Sequence, residues 1–135
     1  MVVRDLMTRK VFTIRLDKKL IVVREIMDWA KIRHIPVVDA QKRCVGLITH
    51  RDLLRVSISS RSSRIAKVER GQHLWTIPIS EVMQSEVQTI GPDAPVRTAA
   101  RLMRAKKIGC LPVVSEGRLI GILTEYDLLK LIEKA

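Results

Sequence analysis

The chain has 135 residues, 47% of them hydrophobic but only 3% aromatic, and a formal net charge of +11. That apolar share excludes a disordered polymer and calls for an aliphatic, methionine-filled core. No apolar run reaches the roughly 18–20 residues of a bilayer span, and Arg4 and Asp5 break the opening apolar residues, so neither a membrane segment nor a signal peptide is expected.

In chain order, Val3, Leu6 and Met7 form an apolar lead-in. Residues 11–14 have the composition of a short strand. Residues 19–31 place Leu20, Val23, Ile26, Met27 and Ala30 at helical spacing, which predicts an amphipathic helix. Residues 35–38 read as a strand that tolerates Pro36 near its start. After a turn at 39–42, residues 44–48 are almost wholly apolar, the mark of a strand buried on both faces. A helix follows over 50–58, capped by Thr49. Residues 57–73 are polar and basic, with Arg61, Arg64, Lys67 and Arg70, and fit either a loop or a helix extension. Residues 75–78 return the chain to the fold. Residues 79–83 then echo the first lead-in, so each half is expected to carry one of its own. A strand over 87–90, a helix over 95–106 with Pro95 in its first turn, strands over 111–114 and 118–123 and a helix over 125–133 complete the chain. The order is β-α-β-β-α, twice.

Subtraction shows that the halves are copies. Met7 and Met83, Thr13 and Thr89, Ile14 and Ile90, Met27 and Met103, and Pro36 and Pro112 are each 76 residues apart. From Gly46 and Gly121 onward the offset is 75, and Thr49/Thr124, Asp52/Asp127 and Leu53/Leu128 keep it. The lost residue falls where a turn belongs. A unit of this length is too long for a solenoid repeat and fits a duplicated small domain.

The chemistry concentrates at Thr49-x-x-Asp52 and Thr124-x-x-Asp127, where a buried strand gives way to a helix. A helix N-terminus offers unpaired N–H groups and a positive dipole end, which suit phosphate. Threonine adds a hydroxyl. The carboxylate one turn on only accepts hydrogen bonds, and a vicinal diol such as the ribose 2′ and 3′ hydroxyls supplies two donors to it. The same spacing also makes a helix capping box, and both roles can coexist. His34, His50 and His73 show no metal-ligand spacing, so no metal site is expected. There is no Walker A or GxGxxG loop and no nucleophile–base arrangement, so an enzyme is not expected. Cys44 and Cys110, far apart and without CxxC spacing, read as small core residues of a reducing, cytoplasmic compartment. The absence of asparagine, with the high charge, leans toward a thermophile.

The motifs Met7-Thr8, Thr13-Ile14, His34 to Asp39 and Gly46 to Asp52, and again Val82-Met83, Thr89-Ile90, Leu111 to Val114 and Gly121 to Asp127, resemble the cystathionine-β-synthase (CBS) domain family. The resemblance implies an α/β (α+β) fold of two β-α-β-β-α repeats packed with pseudo-twofold symmetry. The repeats would span 1–58 and 77–135, with a basic linker at 59–76. Tandem pairs of this family, Bateman modules, bind AMP, ADP, ATP or S-adenosylmethionine in clefts between the repeats. They commonly form homodimers and act on effector proteins, with no cofactor of their own. Carried over by position, one cleft would combine Leu47, Thr49, Asp52, Arg33 and His34 with Met83, Gln88, Ile108 and Gly109. The other would combine Ile122, Thr124, Asp127, Gly109 and Cys110 with Met7, Phe12, Ile32 and Arg33. Arg33 and His34 offer positive groups to phosphate where Gly109 and Cys110 offer none, so the Asp52 cleft is expected to favour the more phosphorylated ligand. The competing function is nucleic-acid binding through the basic linker, although no aromatic platform or nucleic-acid motif accompanies that charge.

Overall fold

The computed structural model describes residues 1–59 and 76–134. It divides into two compact units, one formed by Phe12–Ala40 and Val45–Val87, the other by Met1–Val11, Gln41–Cys44 and Gln88–Ala135. Most of the basic stretch, with Trp75, lies outside the described residues.

In the first-repeat unit, β1 (Ile14–Arg15) pairs in parallel with β2 (His34–Val38), Ile14 opposite Val37. Helix α2 (Leu20–Ala30) makes the crossover that a parallel pair requires. Strand β3 (Cys44–Thr49) completes a sheet of order β1-β2-β3, and helix α3 (His50–Ser59) starts at the next residue. The strand expected over 11–14 shrinks to its last residue plus Arg15, because the ladder to β2 begins only at Ile14. The buried side chains Ile14, Leu20, Val23, Met27, Ile35, Val37, Ile48, Leu53 and Ile79 form the core.

The second-repeat unit uses the same parts. Helix α4 (Val96–Lys106) precedes β4 (Cys110–Ser115), which pairs antiparallel with β5 (Arg118–Thr124) and bulges between Val113 and Val114. Helix α5 (Glu125–Lys134) follows β5 without a gap. The expected strand over 87–90 contracts to one parallel bridge, Ile90 opposite Val113. Helix α4 begins one residue later than expected, with Pro95 as its N-cap. The turn Gln41–Cys44 joins this unit, where the Leu119 N–H donates to the Lys42 carbonyl at 2.9 Å.

Each half carries a lead-in in its own sequence, but the two are exchanged in the fold, each packing in the other repeat's unit. Helix α1 (Val3–Leu6) buries Val3 and Leu6 in the core of the second-repeat unit, with Val96, Ala99, Met103, Leu111, Val113 and Leu123. The 3₁₀ turn Ile79–Glu81 buries Ile79 among the first-repeat residues. Helix capping supplies a reason. Neither Lys19 nor Pro95, the N-caps of α2 and α4, makes a side-chain capping bond. The leading N–H groups of a helix need outside acceptors. The Leu20 N–H donates to Ile77 at 3.0 Å and the Val96 N–H to Met1 at 3.1 Å, both carbonyls of the visiting lead-in. Helices α2 and α4 then stop alike, at Lys31 and Lys107, both left-handed with φ of 58° and 55°.

Candidate ligand site at two strand–helix junctions

Both Thr-x-x-Asp motifs form closed rings of hydrogen bonds. The Thr49 N–H and hydroxyl donate to Asp52 Oδ2 at 2.8 and 3.0 Å, and the Asp52 N–H returns a bond to Thr49 Oγ1 at 3.2 Å. In the other unit, the Thr124 N–H and hydroxyl donate to Asp127 Oδ2 at 2.9 and 3.3 Å, and the Asp127 N–H returns to Thr124 Oγ1 at 3.3 Å. The capping box is therefore made twice. It leaves one carboxylate oxygen, Oδ1, to other partners. Asp52 and Asp127 are 3% and 2% exposed, and they alone are both charged and buried among the described residues. Carboxylates are rarely buried so fully without partners.

Those partners come from the visiting lead-ins. The Gln84 amide reaches Asp52 Oδ1 and Oδ2 at 3.4 and 3.3 Å. The Thr8 hydroxyl donates to Asp127 Oδ1 at 3.0 Å. Each lead-in residue is held there by two backbone bonds. Gln84 exchanges N–H and carbonyl with Leu47 at 2.8 and 2.9 Å, and Thr8 does so with Ile122 at 2.9 Å both ways. A glycine beside each pair permits the approach. A Cβ on Gly46 would run into Met83 Sδ and lie 3.1 Å from the Gln84 carbonyl. A Cβ on Gly121 would lie 2.7 Å from Met7 Sδ and 3.0 Å from the Thr8 carbonyl. Cations complete the shells: Lys130 Nζ stands 3.0 Å from Asp127 Oδ1, and Arg55 Nη1 stands 3.7 Å from Asp52 Oδ1.

The first-repeat unit also gathers Leu47, Ile32, Arg33, His34, Met83 and Phe12. Leu47 is buried on β3, and Met83 packs on Gly46. The Arg33 carbonyl accepts from the His50 N–H at 2.9 Å, tying the segment before Pro36 to the start of α3. The Arg33 side chain is exposed and His34 is half-buried. Phe12 is exposed and meets Trp29 edge to face, ring centroids 6.0 Å apart.

The second-repeat unit gathers Ile122, Ile108, Gly109, Cys110, Met7 and Gln88. Ile122 and Met7 are buried. The Gly109 carbonyl accepts from the Glu125 N–H at 3.0 Å, repeating the Arg33 tie, and the Ile108 N–H donates to Met103 at 3.0 Å. Gln88 is exposed and donates to the neighbouring Thr89 carbonyl. Burial pushes the Cys110 thiol from its ordinary 9.0 up to about 12, with smaller contributions from Cys44 and Glu125. No group of His, Cys, Asp or Glu among the described residues is arranged to hold a metal ion.

Sequence reasoning gave no part at the carboxylates to Thr8, Gln84, Arg55 or Lys130, although Met7-Thr8 is one of the repeated motifs. Thr8 and Gln84 are 76 apart, at the repeat offset, but a search for identities passes over a threonine matched to a glutamine. Lys130 and Arg55 each follow their aspartate by three residues, the spacing of neighbours on one helix face.

The CBS domain family model matches residues 3–59 and 79–134, both repeats. The chain belongs to the CBS domain family. A CBS domain-containing protein of Dictyostelium discoideum is 38% identical over 133 residues, covering 98% of this chain and 91% of its own length. The CBS domain pair of protein MJ0100, solved in complex with 5′-methylthioadenosine and S-adenosylmethionine, superposes with a TM-score of 0.78 at 25% identity, covering 99% of this chain and 97% of that one. Other relatives are much longer. A homoserine O-acetyltransferase of Methanohalobium evestigatum is 31% identical over 133 residues, but the chain spans only 24% of its length. The matched region is a fraction of that larger protein. In this mixed α/β chain, no described helix is long and apolar enough to cross a membrane.

Proposed function

We propose that this CBS domain pair is a regulatory module that senses adenine nucleotides at its two Thr-x-x-Asp junctions. The observation that carries the reading is the pair of buried carboxylates, Asp52 and Asp127, each at a helix N-terminus beside a threonine. The ribose diol would bond the carboxylate, and the helix N-terminus would attract phosphate. MJ0100 supports this choice, because both molecules in its complex are adenosine derivatives. AMP, ADP and ATP are the ligands favoured by the charge of +11, and S-adenosylmethionine is the alternative. The backbone of residues 32–34 and 108–110 would face the adenine, Met7, Met83, Phe12 and Gln88 would line the remaining walls, and Arg33 and His34 would favour a more phosphorylated ligand at Asp52.

The module would signal without catalysis, through differential affinity for two arrangements of the protein. A cytoplasmic effector protein and a second copy of the chain are the proposed partners. The second copy would cover the exposed apolar side chains Tyr126, Leu129 and Ile132 of α5.

Thermal melting with AMP, ADP, ATP, S-adenosylmethionine and a short DNA duplex tests the reading. A ligand present at about 100 times its Kd adds about 2.7 kcal/mol of stability. The expected result is stabilisation by an adenosine ligand that diminishes in Asp52→Ala, Asp127→Ala or both. Binding to DNA that disappears with salt, with no shift from any adenosine compound, overturns it in favour of a nucleic-acid role for the basic stretch.

A further inference from the structure

Counting the acceptors of the two carboxylates separates them. An ionised carboxylate offers about four lone-pair sites, two on each oxygen. At Asp127 all four are used: Oδ2 takes the Thr124 N–H at 2.9 Å and hydroxyl at 3.3 Å, and Oδ1 takes the Thr8 hydroxyl and Lys130 Nζ, both at 3.0 Å. Oδ2 of Asp52 is served by Thr49 in the same way. Its Oδ1 has only a share of the Gln84 amide at 3.4 Å, with Arg55 Nη1 at 3.7 Å, beyond hydrogen-bond reach. Two equivalent positions of the repeat, Thr8 and Gln84, have thus diverged in how firmly they hold the carboxylate.

We propose that Asp52 is the residue that takes the ribose of an adenine nucleotide first, and that Thr8 and Lys130 act as a latch that keeps Asp127 closed to it. The inference rests on the nucleotide reading and refines it. A diol arriving at Asp52 finds open lone pairs on Oδ1 and shifts only a long amide contact. A diol arriving at Asp127 must first displace a short hydroxyl bond or a lysine ammonium. Hydrogen bonds to charged groups are the strong ones, so the displacement weakens binding by about tenfold or more. Lys130 is half-exposed, so water softens the lysine's share, and the Thr8 bond is needed as well.

Isothermal titration of the whole chain with AMP tests the latch. Wild type is expected to show one tight event and a second at least about tenfold weaker. Asp52→Ala should abolish the tight event and Asp127→Ala should leave it. The double variant Thr8→Val/Lys130→Met should tighten the weak event toward the tight one. Because Arg33 and His34 are untouched in that variant, its effect isolates the latch from any preference they impose. If circular dichroism shows that the double variant does not fold, Lys130→Met alone carries the test, with a smaller gain expected. Loss of the tight event in Asp127→Ala, or a weak event unmoved by opening the latch, overturns the inference. Two equal events, one removed by each aspartate variant, sink the inequivalence while leaving the nucleotide reading intact. No heat with AMP, and no melting shift with any adenosine compound, overturns both.

Discussion

Cys110 shows how one buried atom makes stability depend on pH. It is 2% exposed at the first position of β4, and its thiol is held protonated up to about 12. In the unfolded chain the same thiol ionises near its ordinary 9.0. Above that pH the unfolded state binds fewer protons than the folded one, so stability falls as pH rises from about 9 toward 12. The loss approaches about 1.4 kcal/mol per pH unit. Urea midpoints of wild type and Cys110→Ala at pH 8 and pH 10 isolate this group from the rest of the chain. Wild type should lose about 1.4 kcal/mol more than the variant between the two. Equal losses would show that the thiol ionises freely in the fold. The lack of any CxxC spacing had already made this cysteine legible as a core residue. The helix stop at Lys31 and Lys107 was less visible, because the left-handed position that glycine usually marks is occupied by lysine in both repeats.

At the scale of elements, the lead-in and the strand it visits form one device. Thr8 and Ile122 exchange two backbone bonds because Gly121 leaves room for Met7 and the Thr8 carbonyl. Gly121→Ala inserts a Cβ where a sulfur lies 2.7 Å away and a carbonyl oxygen 3.0 Å away. Methionine can swing aside, but the backbone carbonyl moves only with the whole lead-in. Overpacking of this kind costs about 1–3 kcal/mol, readable as a lower urea midpoint. Faster amide exchange at Thr8 and Ile122 should accompany it, and unchanged protection there would rule out displacement of the lead-in. The elements themselves were largely readable in the sequence, since α2 and α4 carry strong helical periodicity and β3 is almost uninterrupted in its apolar run. The exchange of lead-ins was not readable from the periodicity, although the family resemblance already set Met83 beside Asp52 and Met7 beside Asp127. Val3, Leu6 and Met7 repeat the pattern of Ile79, Val82 and Met83, so either segment suits either core, and pairing depends on which carbonyl reaches which helix N-terminus.

For the whole molecule, the issue is what covers the outer face of α5. Asp127, Leu128 and Leu131 turn toward their own unit, whereas Tyr126, Leu129 and Ile132, three residues apart, are 78%, 55% and 73% exposed. Three large apolar side chains on one stripe fit an interface better than a solvated surface. If a second copy covers them, Leu129→Glu/Ile132→Glu should convert dimer to monomer in light scattering. The far-ultraviolet circular dichroism should stay unchanged, because neither side chain contributes to the core. A wild-type chain that stays monomeric in the same measurement as its concentration is raised would remove the proposed homodimer. Salt supplies a second sign. Two copies each carrying +11 repel one another, and screening shortens that repulsion to about 10 Å at 0.1 M and about 3 Å at 1 M. Dimerisation through an apolar face should therefore strengthen as NaCl is raised. Contact with nucleic acid should weaken over the same range, because the counterions it releases return. Sedimentation across a salt series, with and without a DNA duplex, reads both slopes from one sample, and a dimer that dissociates with added salt would place the contact on charge instead of on α5.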